Sequence, residues 1–434
     1  MSRALLLRAL LAAATPTAPT PTSPASEFVT PPLRGPQDVD AATQAYLAQL
    51  GAAASARSDA YFEGGYWLLL WHGVEGVVIA LILMASGLSA RMRDLAERMT
   101  RARFLQTMLY AVQYFVLAAV LAFPLSVYDG FYREHRYGLA NQGFGGWFGD
   151  QLKQLLVTVV LAPVAVALVY LVIRKLPRTW ALSAAMVALG FVIFTAAIGP
   201  VYLAPLFNHY EPLPDGPIKE KIVSLARANA IPAHEVWTFD ASRQTKRMSA
   251  NVSGLFNTTR ISLNDNLLDR GTPEEIQAVM GHEMGHYVLN HVYKFLLEVG
   301  VLFAVVFALL QRGLAAAVAR WGTGWRVRGV SDVAGLPVLA CILGLLFLLA
   351  TPVTNSMIRS QETEADMYGL NASRQPDGFA RAALHLAESR KMKPGPIEEL
   401  LFFDHPSGLD RIRRSMVWKA EHLKDPDMVV QGNL

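Results

Sequence analysis

Cysteine is almost missing: Cys341 is the only one in 434 residues, which excludes a disulfide-stapled fold and a Cys-rich structural zinc site. Charge is scarce too. Asp, Glu, Lys and Arg make up 17% of the chain against 53% hydrophobic residues, where a soluble domain carries about 25% charged residues. That shortfall points to lipid-facing surface, and the apolar content excludes disorder for most of the chain. A net charge of +4 is too small at this length to indicate nucleic acid as a partner. Neither a phosphate-binding glycine loop nor a nucleotide fingerprint is present.

Residues 1–37 read as a signal-like or disordered tail. The start is basic, the apolar run Ala4–Ala14 is interrupted by Arg8, and Thr15–Pro32 is rich in Pro, Thr and Ser. A run that short cannot cross about 30 Å of hydrocarbon as a helix. Val39–Ala60 is expected to form one amphipathic helix. Six segments then have the length of membrane helices: Tyr66–Leu88, Phe104–Val127, Leu152–Ile173, Trp180–Leu203, Phe295–Val318 and Leu336–Met357. They divide the chain into membrane helices one to four with their lead-in (38–203), a polar block (204–294), helices five and six (295–357) and a second polar block (358–434).

The short loops carry a directional signal. Arg91, Arg93, Arg98, Arg101 and Arg103 follow span one, Arg174, Lys175 and Arg178 follow span three, and Arg320, Arg326 and Arg328 follow span five. All three loops fall on one side, which the positive-inside rule makes cytoplasmic. Both polar blocks then lie on the other side, the periplasmic side of an inner membrane if the chain is bacterial, as its Ala-, Arg- and Leu-rich composition suggests.

The first polar block carries chemistry. Ile218–Ala228 reads as a helix, and Glu235–Phe239, Ala250–Phe256 and Arg260–Asn264 as strands. Thr272-Pro273-Glu274-Glu275 is a helix start with a capping box. The helix that follows contains His282-Glu283-Met284-Gly285-His286, an H-E-x-x-H zinc motif. Histidines four apart share a face and can reach one ion, while Glu283, one step round, can accept a proton from water. A third ligand is sought after span six, where an antiparallel return would bring Glu362, Glu364 and Asp366 beside the histidines. Glu362 and Asp366 share a face, so one can ligate while the other orients a histidine. His291, about 140° round a continuous helix from His286, reads as a polar flank, and Glu364 as solvated or paired with a base. His72 and Glu75 inside span one are a functional-site candidate by their place in the membrane, and a mutual hydrogen bond facing a polar chamber explains them equally well.

In these residues the chain resembles the type I CAAX prenyl protease family, and more distantly the HtpX-type proteases. The resemblance runs from about Tyr61 to Met416. It includes Tyr202–Phe207, Asn251–Phe256 with Arg260–Leu263, Glu362-x-x-Ala365-Asp366, and His405-Pro406 with Arg411. It implies one Zn2+ per chain on His282, His286 and Glu362, with Asp366 behind them. It also implies His405 and Arg411 as substrate or oxyanion contacts, and a strand at Asn251 that pairs with bound peptide. Eukaryotic members have seven spans and a cytosolic zinc domain, whereas this sequence shows six spans and the opposite sidedness.

The expected fold is mainly α: a multi-pass membrane protein with six spans around a chamber and a small α+β, gluzincin-like metalloprotease domain. The expected function is a zinc metalloendopeptidase acting on a peptide or protein substrate, lipidated or membrane-associated substrates included, with the bilayer as its other partner. A zinc-containing membrane chaperone or peptide-binding protein without turnover is the alternative, and a transporter the more remote one.

Overall fold

The computed structural model describes residues 28–232, 235–253 and 260–424. Most of the signal-like tail, and the turn between the two expected strands, lie outside those residues. Six helices are long and apolar enough to cross a membrane: Ala52–Ala85, Arg103–Arg136, Phe144–Lys175, Trp180–Leu206, His291–Trp325 and Val333–Ser373. Their outward faces are apolar and bare, with Leu349 77% and Leu297 72% exposed, as lipid contact requires. Between them the buried side chains of Tyr110, Tyr170, Trp180 and Leu310 form the main helical core.

Two expectations change ahead of the second span. Val39–Ala60 is not one helix: the chain is helical over Val39–Leu47, breaks at Gly51 and resumes as the first span at Ala52. The arginine-rich stretch after span one is a helix, Leu88–Met99, not a loop. Its Arg93 is buried and pairs with Asp332 at 2.6 Å, while Arg328 reaches Glu97 at 2.6 Å and Arg174 reaches Thr107 at 3.0 Å. These bonds tie the ends of spans one, two, three and five and the start of span six together, so the basic segments do share one end of the bundle.

The sixth span does not stop at the membrane boundary read from the sequence. It continues as one helix, Leu336–Ser373, from the basic end to the far end. At 1.5 Å per residue, Glu362 lies roughly 39 Å from the start of this helix. There the small sheet sits, four strands in the order β1 (Tyr210–Pro212), β2 (Val236–Phe239), β4 (Arg260–Asn264), β3 (Ala250–Ser253). The β2–β4 pair is parallel and the others antiparallel, which leaves β3 at an edge. Ile261 and Leu263 of β4 pack with Ile276, Met280 and Met284 of the motif helix, Pro273–Val288, in a separate core.

Candidate metal centre

The motif helix starts as its sequence demands. Thr272 Oγ1 accepts from the Glu275 backbone N–H at 3.3 Å, and the Glu275 carboxylate accepts the Thr272 N–H at 3.0 Å. Ten residues on, His282 and His286 bring their Nε2 atoms 3.1 Å apart. Glu362 arrives from the sixth span with Oε2 3.2 Å from His282 Nε2 and Oε1 3.3 Å from His286 Nε2. Small residues make that approach possible. A Cβ on Gly281 would stand 3.0 Å from the Gly369 carbonyl oxygen, and one on Gly285 3.2 Å from Ala365 Cα. The two helices therefore meet at backbone distance, as small-residue crossings allow.

The triangle of ligand atoms fits a metal. A tetrahedral ion with bonds of about 2.0–2.1 Å needs its ligands about 3.3–3.4 Å apart. Glu362 is buried, and its Oε2 has no hydrogen-bond partner among the described residues. A carboxylate oxygen left so is costly unless a cation completes it. Two imidazoles and a carboxylate, with a fourth position open, are the donor set of a catalytic zinc site.

Asp366, one turn beyond Glu362 and fully buried, holds His282 Nδ1 at 2.9 Å. It is held in turn by Arg411 Nε at 3.1 Å and Arg414 Nη1 at 2.9 Å. His282 is thereby fixed with Nδ1–H toward Asp366 and Nε2 toward the centre. Burial works against charge on His282, yet the Asp366 and Glu362 carboxylates outweigh it and push its pKa up to about 9. That surplus of negative charge favours any cation placed there.

Glu283 lines the adjoining cavity, and burial raises its carboxyl above the ordinary range despite the two imidazoles nearby. His405 places Nε2 3.3 Å from Glu362 Oε2 and Nδ1 2.7 Å from Asp404 Oδ1. Burial lowers its pKa, against the pull of Asp404. Arg411 gives Nε and Nη2 to Asp366, with Nη2 also 3.4 Å from His282 Nδ1. Asn251 lies in the edge strand, opposite Ser262, and its neighbours Ser249 and Ala250 line the cavity. The cavity, of about 680 Å³, runs from these groups to Tyr66 and Leu69 of span one and Asn355 of span six.

His291 is the residue that spacing misplaced. The motif helix does not continue through it: the helix ends at Val288, and Asn290 takes a left-handed φ of 57°. A new helix then begins at His291, which is buried with Nδ1 2.9 Å from His286 Nδ1 and Nε2 3.1 Å from Glu364. Glu364 pairs as well with Lys294 at 2.9 Å, so its expected basic partner is present. Asparagine tolerates that backbone conformation better than most residues, and Asn290 was the available signal. His72 and Glu75 are 3.4 Å apart, with Asp129 3.3 Å from the other ring nitrogen, which fits the hydrogen-bonded reading.

Residues 212–418 match the profile described as peptidase family M48, and residues 42–209 match CAAX prenyl protease N-terminal, five membrane helices. A CAAX prenyl protease 1 homolog from Arabidopsis thaliana is 30% identical over 307 residues, covering 67% of this chain and 68% of its own. The chain belongs to the CAAX prenyl protease 1 family of M48 peptidases. It is a multi-pass membrane metalloendopeptidase. A metalloprotease of Bacillus subtilis (strain 168), YhfN, named as uncharacterized, is 28% identical over 77% of this chain and 79% of its own. The crystal structure of S. mikatae Ste24p shares the fold, with a TM-score of 0.72 at 20% identity over 88% of this chain and 93% of that one.

Proposed function

We propose that one zinc ion per chain, held by His282, His286 and Glu362, serves the hydrolysis of peptide bonds inside the cavity. The observation that carries this reading is the meeting of three ligand atoms 3.1–3.3 Å apart around an unpartnered Glu362 oxygen, with Glu283 beside them. Bound zinc would polarise the scissile carbonyl and lower the pKa of its water. Glu283, its basicity raised by burial, takes the proton of the attacking water and returns it to the leaving amine. His405 and Arg411 donate toward the developing oxyanion, and Asp366 keeps His282 and Arg411 in place. An extended substrate adds to the free edge of β3 at Asn251, so main-chain hydrogen bonds set the depth of the scissile bond.

Prenylated CAAX peptides, named by the relatives, are the first substrates to try beside unmodified ones. The positive-inside rule, applied to the basic end, supports a catalytic end outside the cytoplasm, at the periplasmic face of a bacterial inner membrane. A reporter fused after Leu434 should then be active outside; activity in the cytoplasm would reverse the orientation. For the chemistry, E283Q should keep its zinc by elemental analysis and lose peptide cleavage. Cleavage at the wild-type rate would remove Glu283 from the mechanism, and a wild-type protein that binds peptides but never cuts them would favour the chaperone alternative.

A further inference from the structure

Four arginines line the cavity: Arg133, Arg247, Arg390 and Arg411. Three are already paired with a carboxylate of the chain. Arg133 pairs with Asp129, Arg247 with Glu134 at 2.8 Å, and Arg411 with Asp366. The guanidinium of Arg390 has no ion pair or hydrogen bond among the described residues, although the cavity takes it partly out of water. Nearby carboxylates are engaged elsewhere, Asp404 with His405 and Glu388 with Arg270. Burial and the positive charges of Arg411 and Arg247 lower the pKa of Arg390, only partly countered by Asp404 and Glu362.

This side chain is not loose by accident of a mobile loop. The Arg390 N–H is bonded to the Leu386 carbonyl at 3.0 Å, and its own carbonyl accepts from buried Ser58 Oγ of span one at 2.9 Å. The next residue, Lys391, is clamped between Glu63 at 2.6 Å and Glu398 at 2.9 Å. The backbone is fixed while the charged end is left without a counter-ion, in a cavity that also holds the metal centre. A guanidinium so placed is completed by an anion that enters with a ligand, and its planar fork matches a carboxylate.

We propose that Arg390 is a specificity residue that pairs with a carboxylate of the bound peptide. This rests on the peptidase reading above. The carboxylate has two sources, the free C-terminus of the peptide or an Asp or Glu side chain, and the chemistry at Arg390 is the same for both.

Three labelled peptides of one apolar sequence separate the sources: one with a free C-terminus and no acidic side chain, one amidated with a single Glu, and one amidated with Gln in its place. Binding is measured by fluorescence anisotropy to the full chain in lipid nanodiscs, in an E283Q background that prevents turnover. One of the two carboxylate peptides should bind about tenfold to a hundredfold tighter than the neutral one, as a charge-assisted pair predicts. Adding R390Q should bring all three within about twofold of one another, and R390K should keep an intermediate preference. Because the readout is a ratio within one preparation, partial misfolding does not imitate it. Equal binding of all three to the parent protein, or a preference that survives R390Q, overturns the proposal. Cleavage of the same peptides by the Glu283-intact chain is scored separately, so loss of the peptidase reading and loss of the Arg390 proposal give different results.

Discussion

Gly369 of the sixth span lies so close to His282 that a Cβ added to it would stand 2.7 Å from the His282 backbone nitrogen. The proposed third ligand and the first are therefore positioned by one backbone-to-backbone crossing. G369A must push the two helices apart, and overpacking of this kind costs about 1–3 kcal/mol. We expect purified G369A to contain less zinc than wild type and to lose most peptide cleavage. Full zinc content together with full activity would mean that the crossing relaxes without moving Glu362.

Asp366 fixes one ring and not the other. D366N removes the charge that His282 Nδ1 and Arg411 share while keeping the shape. Loss of such a supporting carboxylate costs about 10- to 100-fold in metal affinity or activity. Competition with a chelator of known zinc affinity measures it directly. An unchanged zinc affinity would show that the Asp366 charge does not support His282 as a ligand.

The corresponding support for His286 is His291, backed by Glu364 and Lys294. H291A should speed zinc loss to a chelator by about tenfold, and E364Q should do so less, because it leaves the imidazole contact in place. Equal release rates for wild type and H291A would make the 2.9 Å contact incidental.

Stability against acid has its own handle at the start of the motif helix. Burial pushes the Glu275 carboxyl up, but hydrogen bonds from His385 and the Thr272 backbone, with the Arg381 charge, bring it below the ordinary range. A carboxylate lowered in the folded state adds stability above its unfolded pKa, near about 4.3, and that stability is lost as pH falls through the folded value. E275Q, which removes the carboxylate that Arg381 Nε holds at 3.0 Å, should cost about 3 kcal/mol near neutrality. The gap in Tm between wild type and E275Q should close below about pH 4. A gap independent of pH would assign the loss to packing.

Much of this was legible in the sequence. Apolar length alone locates the six spans, because twenty lipid-compatible residues have few other uses. Thr272 and Glu275 announce the helix that carries both histidines, and the hairpin between His286 and Glu362 brings the third ligand back. The misreadings have local causes. Periodicity assumes that a helix continues, so it could not see the left-handed turn at Asn290 that delivers His291. The arginines of Leu88–Met99 hid an amphipathic helix behind a charge count, and buried Arg93 looked like any other cytoplasmic charge. Arg390 left no trace, since an unpaired cation is defined by what surrounds it in space.

The unbroken helix from Leu336 to Ser373 has a consequence for how this protein can change. A helix whose only task is to cross lipid tolerates an added residue, because thickness is forgiving. Here one insertion between Leu339 and Met357 would rotate the two halves about 100° relative to each other. Either Glu362 or the buried stripe at Val338 and Leu339 would then face the wrong way. On the proposed ligand set, the reading frame of the membrane segment is thus part of the coordination chemistry, and drift in its length is limited by the metal site rather than by the bilayer.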